Sequence, residues 1–407
     1  MTIMQPSLLA VLFIMLFAAH STSLAEPESA IEPDNKNLHV RSGLGNLSKR
    51  IEVDKNCHVA FLGGSITQNG GGHVAMVPAW LKGEFPGCEF KVTNAGLSST
   101  CSTSGAFRLA SQVFGGDPVD LLIVEFAVND DQDAMHAERE CIRGMEGIVR
   151  HVRRDHPQCE IVMVHFVNPG MLAKALRGET PVSIAAHECV ATRYDVISVN
   201  VAAELADAVA TKRYTWKDYG GTHPGKFGYR VASNMITAAI QAGLEKKNGE
   251  TRAERKLPNP SDASSYDKGK FVPPDKAKFG DDWQLGKVSR ALLPVGSIRS
   301  DYKKHDVLRS DQAGAELEFE FAGRSIGAFV LAGPDAGIIE TSIDGSAFEK
   351  HDLFHRFSGG LNYPRSVVFN SGLKQGKHVL RLRISAEKNP KSKGHTASIL
   401  FFEVNES

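Results

Sequence analysis

Net charge is the first thing this chain lacks. Its 47 Lys and Arg balance 47 Asp and Glu, a formal +0. A surface with no excess of either sign offers no electrostatic footprint for nucleic acid or for an anionic membrane. Cysteine is missing from the whole second half: Cys57, Cys88, Cys101, Cys141, Cys159 and Cys189 all lie in the first. None stands in a Cys-x-x-Cys pair and no paired histidines accompany them, so their spacing matches no metal-binding pattern. Export would permit disulfides, but spacing gives no connectivity, and several of the six read equally as small buried apolar side chains. Long apolar runs are absent too, apart from one at the amino terminus.

That run, residues 7–19, is too short for a comfortable membrane span, which takes about 20 residues. Ser23-Leu24-Ala25 follows as a small-residue cleavage site and Glu26-Pro27 opens a polar stretch. The pattern reads as a secretory signal peptide over 1–25, hence a secreted or periplasmic protein with no membrane span once it is removed. No Lys or Arg precedes the run. A retained anchor is the alternative.

What is present is an ordinary globular composition, 42% apolar and 23% charged over 407 residues, long enough for two domains. After a linker at 26–50, residues 51–246 alternate short apolar runs with amphipathic stretches. Candidate strands are Val59–Leu62, Phe90–Thr93, Leu121–Phe126, Glu160–Phe166 and Asp195–Val199. Candidate helices are Met76–Gly83, Glu138–Arg153, Ile184–Tyr194 and Lys226–Ala242. In the second of these, Cys141, Met145, Ile148 and Val152 recur at the spacing of one buried helix face. Strands alternating with helices predict a parallel sheet covered on both faces. Residues 247–284 are charged and proline-bearing, as a surface linker would be. From 285 to 407 the period becomes two, as in Glu316-Leu317-Glu318-Phe319-Glu320-Phe321, with turn signals between runs. This predicts an all-β sandwich.

Four loops of the first domain carry chemistry. Gly63-Gly64-Ser65 ends the first strand, where ligands bind in open α/β sheets. Thr93-Asn94-Ala95-Gly96 ends the second, and Glu125-Phe126-Ala127-Val128-Asn129-Asp130 ends the most apolar one. Gly220-Gly221-Thr222-His223-Pro224-Gly225 sets a histidine in a glycine/proline loop before the last helix. Serine, histidine and amide donors at one sheet edge are the parts needed for acyl transfer. Gly96 and Asn129 also suit ordinary strand–loop junctions. Glu125 needs a partner at the end of an apolar strand; Arg108 is the expected one, and both are candidates to line the pocket. His165 and His187 read as structural or exposed.

In order, Ser65, Gly96, Asn129 and His223 resemble the four signature blocks of the SGNH (GDSL-like) hydrolase family, over residues 57–230. The resemblance implies a flavodoxin-like three-layer α/β/α domain with esterase activity. It makes Ser65 the nucleophile and His223 the general base. The oxyanion hole would come from the Ser65 and Gly96 N–H groups and the Asn129 amide. Two positions depart from the family pattern. Ala127 replaces a glycine, and Gly220 stands where an Asp three residues before the histidine is usual. The nearest acid is Asp218, which would orient His223 if the two glycines bulge; otherwise a backbone carbonyl does so, leaving a Ser-His dyad.

Residues 326–346, with Gly333-Pro334-Asp335-Ala336-Gly337 and Ile343-Asp344-Gly345, resemble the β jelly-roll domain that accompanies such modules in some carbohydrate acetylesterases, although there it comes first. Gly333–Gly337 suits a plain turn as well as a sugar contact. Tyr302, Phe354, Phe357 and Tyr363 suit sugar stacking or core. The expectation is an exported serine esterase that removes O-acetyl or other short acyl groups from polysaccharide or oligosaccharide, with no metal or cofactor. A lipase of the same fold, or a carbohydrate-binding protein with a degenerate hydrolase domain, is the alternative.

Overall fold

A strand buried on both faces must be apolar at nearly every position, whichever way its side chains point. Residues 59–62 and 121–124 meet that condition, and they form the centre of a six-stranded sheet. The structure, a computed structural model, describes residues 35–246, 255 and 257–406; the expected signal peptide lies outside them. The strands are β1 (Leu38–His39), β2 (Asn56–Gly63), β3 (Glu89–Gly96), β4 (Leu121–Glu125), β5 (Glu160–Val164) and β6 (Ile197–Val199). They lie in the order β1-β6-β5-β4-β2-β3, parallel throughout except for β1 against β6. Val59 and Phe61 enter the core on one face, Ala60 and Leu62 the core on the other. The helices His73–Glu84 and Lys226–Glu245 cover the first face, and Ser102–Gln112 and Glu138–Asp155 the second. This is the three-layer parallel architecture expected.

From β2 the chain passes to β3 on one side and returns to β4 on the other. The resulting crevice at the carboxyl end of β2 is where doubly wound sheets bind ligands. Ser65 follows that end directly.

Some boundaries differ from the sequence reading. The described part of the 26–50 segment is not a linker: β1 edges the sheet, and Leu44 and Leu47 are buried beneath a short helix, Gly45–Lys49. The helices Ser102–Gln112, Pro169–Leu176 and Val201–Ala210 were not foreseen. In the segment 247–284, residues from 269 onward already enter the second domain.

That domain is a sandwich of two antiparallel sheets, as expected. Its strands are β7 (Gly269–Val272), β8 (Lys278–Phe279), β9 (Gln284–Lys287), β10 (Asp306–Ser310), β11 (Glu316–Gly323) and β12 (Ser325–Ala332), then β13 (Ile338–Ile343), β14 (Glu349–Asp352), β15 (Tyr363–Asn370), β16 (Gly376–Ile384) and β17 (Ala397–Asn405). One sheet runs β15-β12-β17-β10-β9, with β7 also on β17; the other runs β14-β13-β16-β11-β8. The alternation read in β11 is real: Leu317, Phe319 and Phe321 are buried while Glu316 and Glu320 face solvent. Gly333–Gly337 is a turn, with Asp335 accepting from the Thr396 hydroxyl at 2.7 Å.

The two domains share contacts. The connecting segment is pinned to the first domain by Tyr266, whose ring lies 4.9 Å from that of Phe107 and whose hydroxyl donates to Glu140 at 2.8 Å. Leu97, next to Gly96, packs on a cluster containing Tyr302 and Phe329. All six cysteines are free, five buried and Cys189 exposed. Among the described residues, no helix is long and apolar enough to cross a membrane.

Candidate active site

The turn that presents Ser65 is built on two glycines that cannot carry a side chain. A Cβ on Gly63 would lie 2.2 Å from Glu125 Oε1, and one on Gly64 would lie 2.2 Å from Asn129 Oδ1. Ser65 then opens a single helical turn, Ser65–Gln68, closed by Gln68 N–H donating to the Gly64 carbonyl at 3.0 Å. Glu125 holds the turn from beneath, accepting from Gly64 N–H at 2.9 Å and from the Thr67 hydroxyl at 2.7 Å. Burial outweighs these bonds and pushes the Glu125 carboxyl up to about 7.

Ser65 Oγ lies 2.7 Å from His223 Nε2. With the imidazole proton on Nδ1, the hydroxyl donates to Nε2, the starting arrangement for general-base activation. The histidine loop owes its shape to Gly220 and Gly221, at φ 99° and 105°, a region that L side chains rarely adopt. A Cβ on Gly220 would also lie 2.2 Å from Gly225 N, whose N–H closes the loop onto the Tyr219 carbonyl at 2.9 Å. This explains the departure at position 220. The backbone there excludes an aspartate.

Asp218 does not take over that role in the structure. Its Oδ2 accepts from the Thr215 N–H at 2.8 Å and hydroxyl at 2.6 Å, capping the short helix Trp216–Tyr219. These bonds hold its carboxyl below the usual range. Among the described residues, no carboxylate forms an ion pair with His223, and the side-chain partner it does meet is Ser65.

The other two expected residues converge on the same spot. Asn129 is buried with its amide against Gly64, and its Nδ2 donates to Asp133 Oδ2 at 2.6 Å. Gly96 pairs in register with Gly63, and a Cβ on it would lie 2.3 Å from Gln68 N. Its N–H donates to Asn94 Oδ1 at 2.9 Å, so Asn94 must release it before it can serve an oxyanion.

The expected Arg108–Glu125 pair is not formed. Arg108 is fully buried and donates to the Gly63 carbonyl at 2.9 Å and the Ala95 carbonyl at 2.6 Å, tying the ends of β2 and β3 together. Neither residue lines a pocket, because both are sealed beneath the turn. His165 and His187 are buried and structural, donating to Glu188 at 2.7 Å and Asp130 at 2.9 Å.

Sequence reasoning missed Asp133, whose signal was its four-residue spacing from Asn129 on one helical turn. It is also where the second domain reaches the site: His355 Nε2–H donates to the Asp133 carbonyl at 2.8 Å. Nearby, Arg299 donates to Ser99 Oγ at 2.7 Å. Of the four aromatics weighed for stacking, Tyr302 and Tyr363 are buried, whereas Phe357 is 43% exposed beside the His355–Tyr363 stack. A cavity of about 420 Å³ lies between the domains rather than over Ser65, lined by Cys101, His136, Arg143, Tyr363 and Arg365 among others.

Residues 61–231 match the GDSL-like lipase/acylhydrolase family. No curated protein matches the chain in sequence. In fold it is similar to a two-domain esterase (CEX) active on acetylated mannans, at 19% identity and TM-score 0.71, covering 92% of this chain and 100% of that one. The same esterase co-crystallised with mannopentaose gives 19% identity and TM-score 0.70, covering 92% of this chain and 99% of that one. The likeness spans both domains and their order. The α/β domain is thus a GDSL-like acylhydrolase domain, a carboxylic ester hydrolase by class.

Proposed function

We propose that this GDSL-like ester hydrolase is a serine esterase that removes O-acetyl groups from carbohydrate, and that it is exported after loss of residues 1–25. The observation that carries the reading is the 2.7 Å contact between Ser65 Oγ and His223 Nε2 at the carboxyl edge of the sheet, with the Asn129 amide packed against Gly64.

The mechanism follows from those positions. Ser65 Oγ attacks the ester carbonyl as its proton passes to His223 Nε2. The oxyanion that forms faces three donors: the Ser65 N–H, the Asn129 Nδ2 and the Gly96 N–H, the last once Asn94 turns away. Each such donor is worth about 10²–10³ in rate. His223 then gives its proton to the leaving sugar hydroxyl. A water, deprotonated by the same histidine, attacks the acetyl-enzyme and releases acetate. The exposed imidazolium is solvated by water in place of a carboxylate partner. The chemistry calls on no metal or cofactor.

Support for a sugar ester comes from the appended sandwich, which reaches the oxyanion side through His355 and presents Phe357 to solvent. An exposed aromatic ring two residues from His355 suits the apolar face of a sugar, with Arg356 over its ring at 4.8 Å to hydrogen-bond the sugar hydroxyls. The fold-level likeness to an esterase active on acetylated mannans selects the first substrates to try.

The test is a panel: acetate release from acetylated mannan, xylan and pectin, beside fatty-acid release from a phospholipid. Acetate from one or more polysaccharides and none of the lipid product is the expected outcome. Fatty-acid release alone would assign a lipase, and turnover of neither would leave a binding protein.

A further inference from the structure

Three side chains converge at the interdomain cavity, Cys101 and His136 in its wall and Asp130 buried behind them. Cys101 precedes the helix Ser102–Gln112, Asp130 follows Asn129, and His136 ends the loop after Asp133. One ligand atom from each, the Cys101 Sγ, an Asp130 carboxylate oxygen and an imidazole nitrogen of His136, all lie within 4.8 Å of one another. His136 Nδ1 is 3.7 Å from Asp130 Oδ1 and has no hydrogen-bond partner, although it is buried. Asp130 is held in place from behind: Oδ2 accepts from His187 Nε2 at 2.9 Å and from the Ser102 hydroxyl at 2.7 Å. Oδ1 accepts only the Ser102 N–H, at 2.8 Å, and so keeps a lone pair.

We propose that Cys101, Asp130 and His136 bind a divalent transition metal, zinc by chemistry, with the fourth position open to the cavity. Thiolate, imidazole and carboxylate together are a zinc donor set, and three protein ligands plus one solvent position is a known coordination for it. Drawing the donors onto bonds of about 2.0–2.3 Å requires side-chain movement of only about 1 Å. On binding, the Cys101 thiol and the His136 imidazole give up their protons to solvent, and ionised Asp130 adds a carboxylate lone pair. The resulting donor charge of two negatives matches a dication. His187 and Ser102 act as the outer shell that fixes the carboxylate.

The location gives such an ion a structural task. It would join the segment that follows Gly96 to the one that carries Asn129, so both halves of the oxyanion side would be fixed to each other. Spacing in the sequence could not show this, because 29 and 6 positions separate the three ligands and no two share a motif.

The experiment uses the untagged full chain and Co²⁺ as a spectroscopic substitute. The expected result is one equivalent bound per chain, with a thiolate-to-cobalt charge-transfer band and tetrahedral d–d bands. Cys101→Ser and His136→Gln should abolish the charge-transfer band or the tetrahedral pattern, and Cys189→Ser, the exposed control, should leave both intact. His187→Gln should weaken binding by about 10–100-fold. A readout free of variants accompanies these: in the wild type, zinc should slow alkylation of the Cys101 peptide at least tenfold and release protons on binding. Circular dichroism of each variant checks its fold. No charge-transfer band and no protection of Cys101 in the wild type would overturn the proposal and leave a thiol–imidazole contact. A band that survives in Cys101→Ser but is lost in Cys141→Ser would also overturn it.

Discussion

Replacing Glu125 with glutamine separates charge from hydrogen bonding at the base of the nucleophile turn. Burial moves this carboxyl from an ordinary 4.5 up to about 7. At 1.36 kcal/mol per tenfold change in proton affinity, that is a penalty of about 3 kcal/mol on the ionised form. The unfolded chain gives up the proton near the ordinary value, the folded chain only near 7. Between those values the folded state holds more protons, so stability falls as pH rises through the window and levels off above it. The glutamine keeps an oxygen for Gly64 N–H and the Thr67 hydroxyl. Its NH2 group, however, arrives where Oε2 has no partner, which costs about 1–3 kcal/mol. Glu125→Gln should therefore be less stable than wild type by about 1–3 kcal/mol at pH 4.5, and between parity and about 2 kcal/mol more stable at pH 8. The gap should close by about 3 kcal/mol across the range. Chemical denaturation at several pH values measures the difference directly. A gap that stays constant from pH 4.5 to 8 would refute the reasoning, since it would mean that Glu125 titrates alike in the folded and unfolded chains. Turnover at neutral pH should change by only a few fold, because both acceptor contacts of the turn survive.

Further outcomes follow from the same geometry. Asp133→Ala releases the Asn129 amide and should lower kcat by up to about 10²-fold with little change in KM, whereas Asp133→Asn, which keeps an acceptor oxygen, should retain most activity. Steady-state kinetics of the two variants side by side decide it. Asp218→Asn should leave kcat within about twofold and lower stability only slightly, as expected of an exposed helix cap; a collapse in kcat alone would return Asp218 to the catalytic set. Gly220→Asp, which restores the usual acid position, should lower both stability and activity, because the left-handed backbone costs about 1–2 kcal/mol before the contact with Gly225 N is counted. Thermal melting and esterase assays of that variant check both effects.

The parts of this protein legible in its sequence are those where one physical demand acts alone. β2, β4 and β5 lie between two helical layers and must be apolar over most of their length, so composition exposed them. β11 has one wet face and showed the alternation that this requires. β1 is two residues long and has no pattern to read. The helix Ser102–Gln112 begins with Ser-Thr-Ser, which reads as loop, yet those residues are buried and Ser102 is satisfied by Asp130. Near the site, Ser65, Gly96, Asn129 and His223 could be named because each follows a strand or sits in a glycine loop. Their partners could not. Proximity in sequence suggested Asp218 for His223, but a helix cap claimed its carboxylate. Charge suggested Arg108 for Glu125, but backbone carbonyls at two strand ends claimed the guanidinium. Cys101, Asp130 and His136 meet only through the fold.

The proposed function rests on Ser65, activated by His223, acting as the nucleophile of an acetyl esterase. The most direct measurement is the hydrolysis rate of a small acetyl ester by the wild type, Ser65→Ala and His223→Ala, each verified as folded. Turnover by the wild type and a loss of at least about 10³-fold in both variants are expected. Hydrolysis by Ser65→Ala at a rate close to wild type would contradict that role for Ser65.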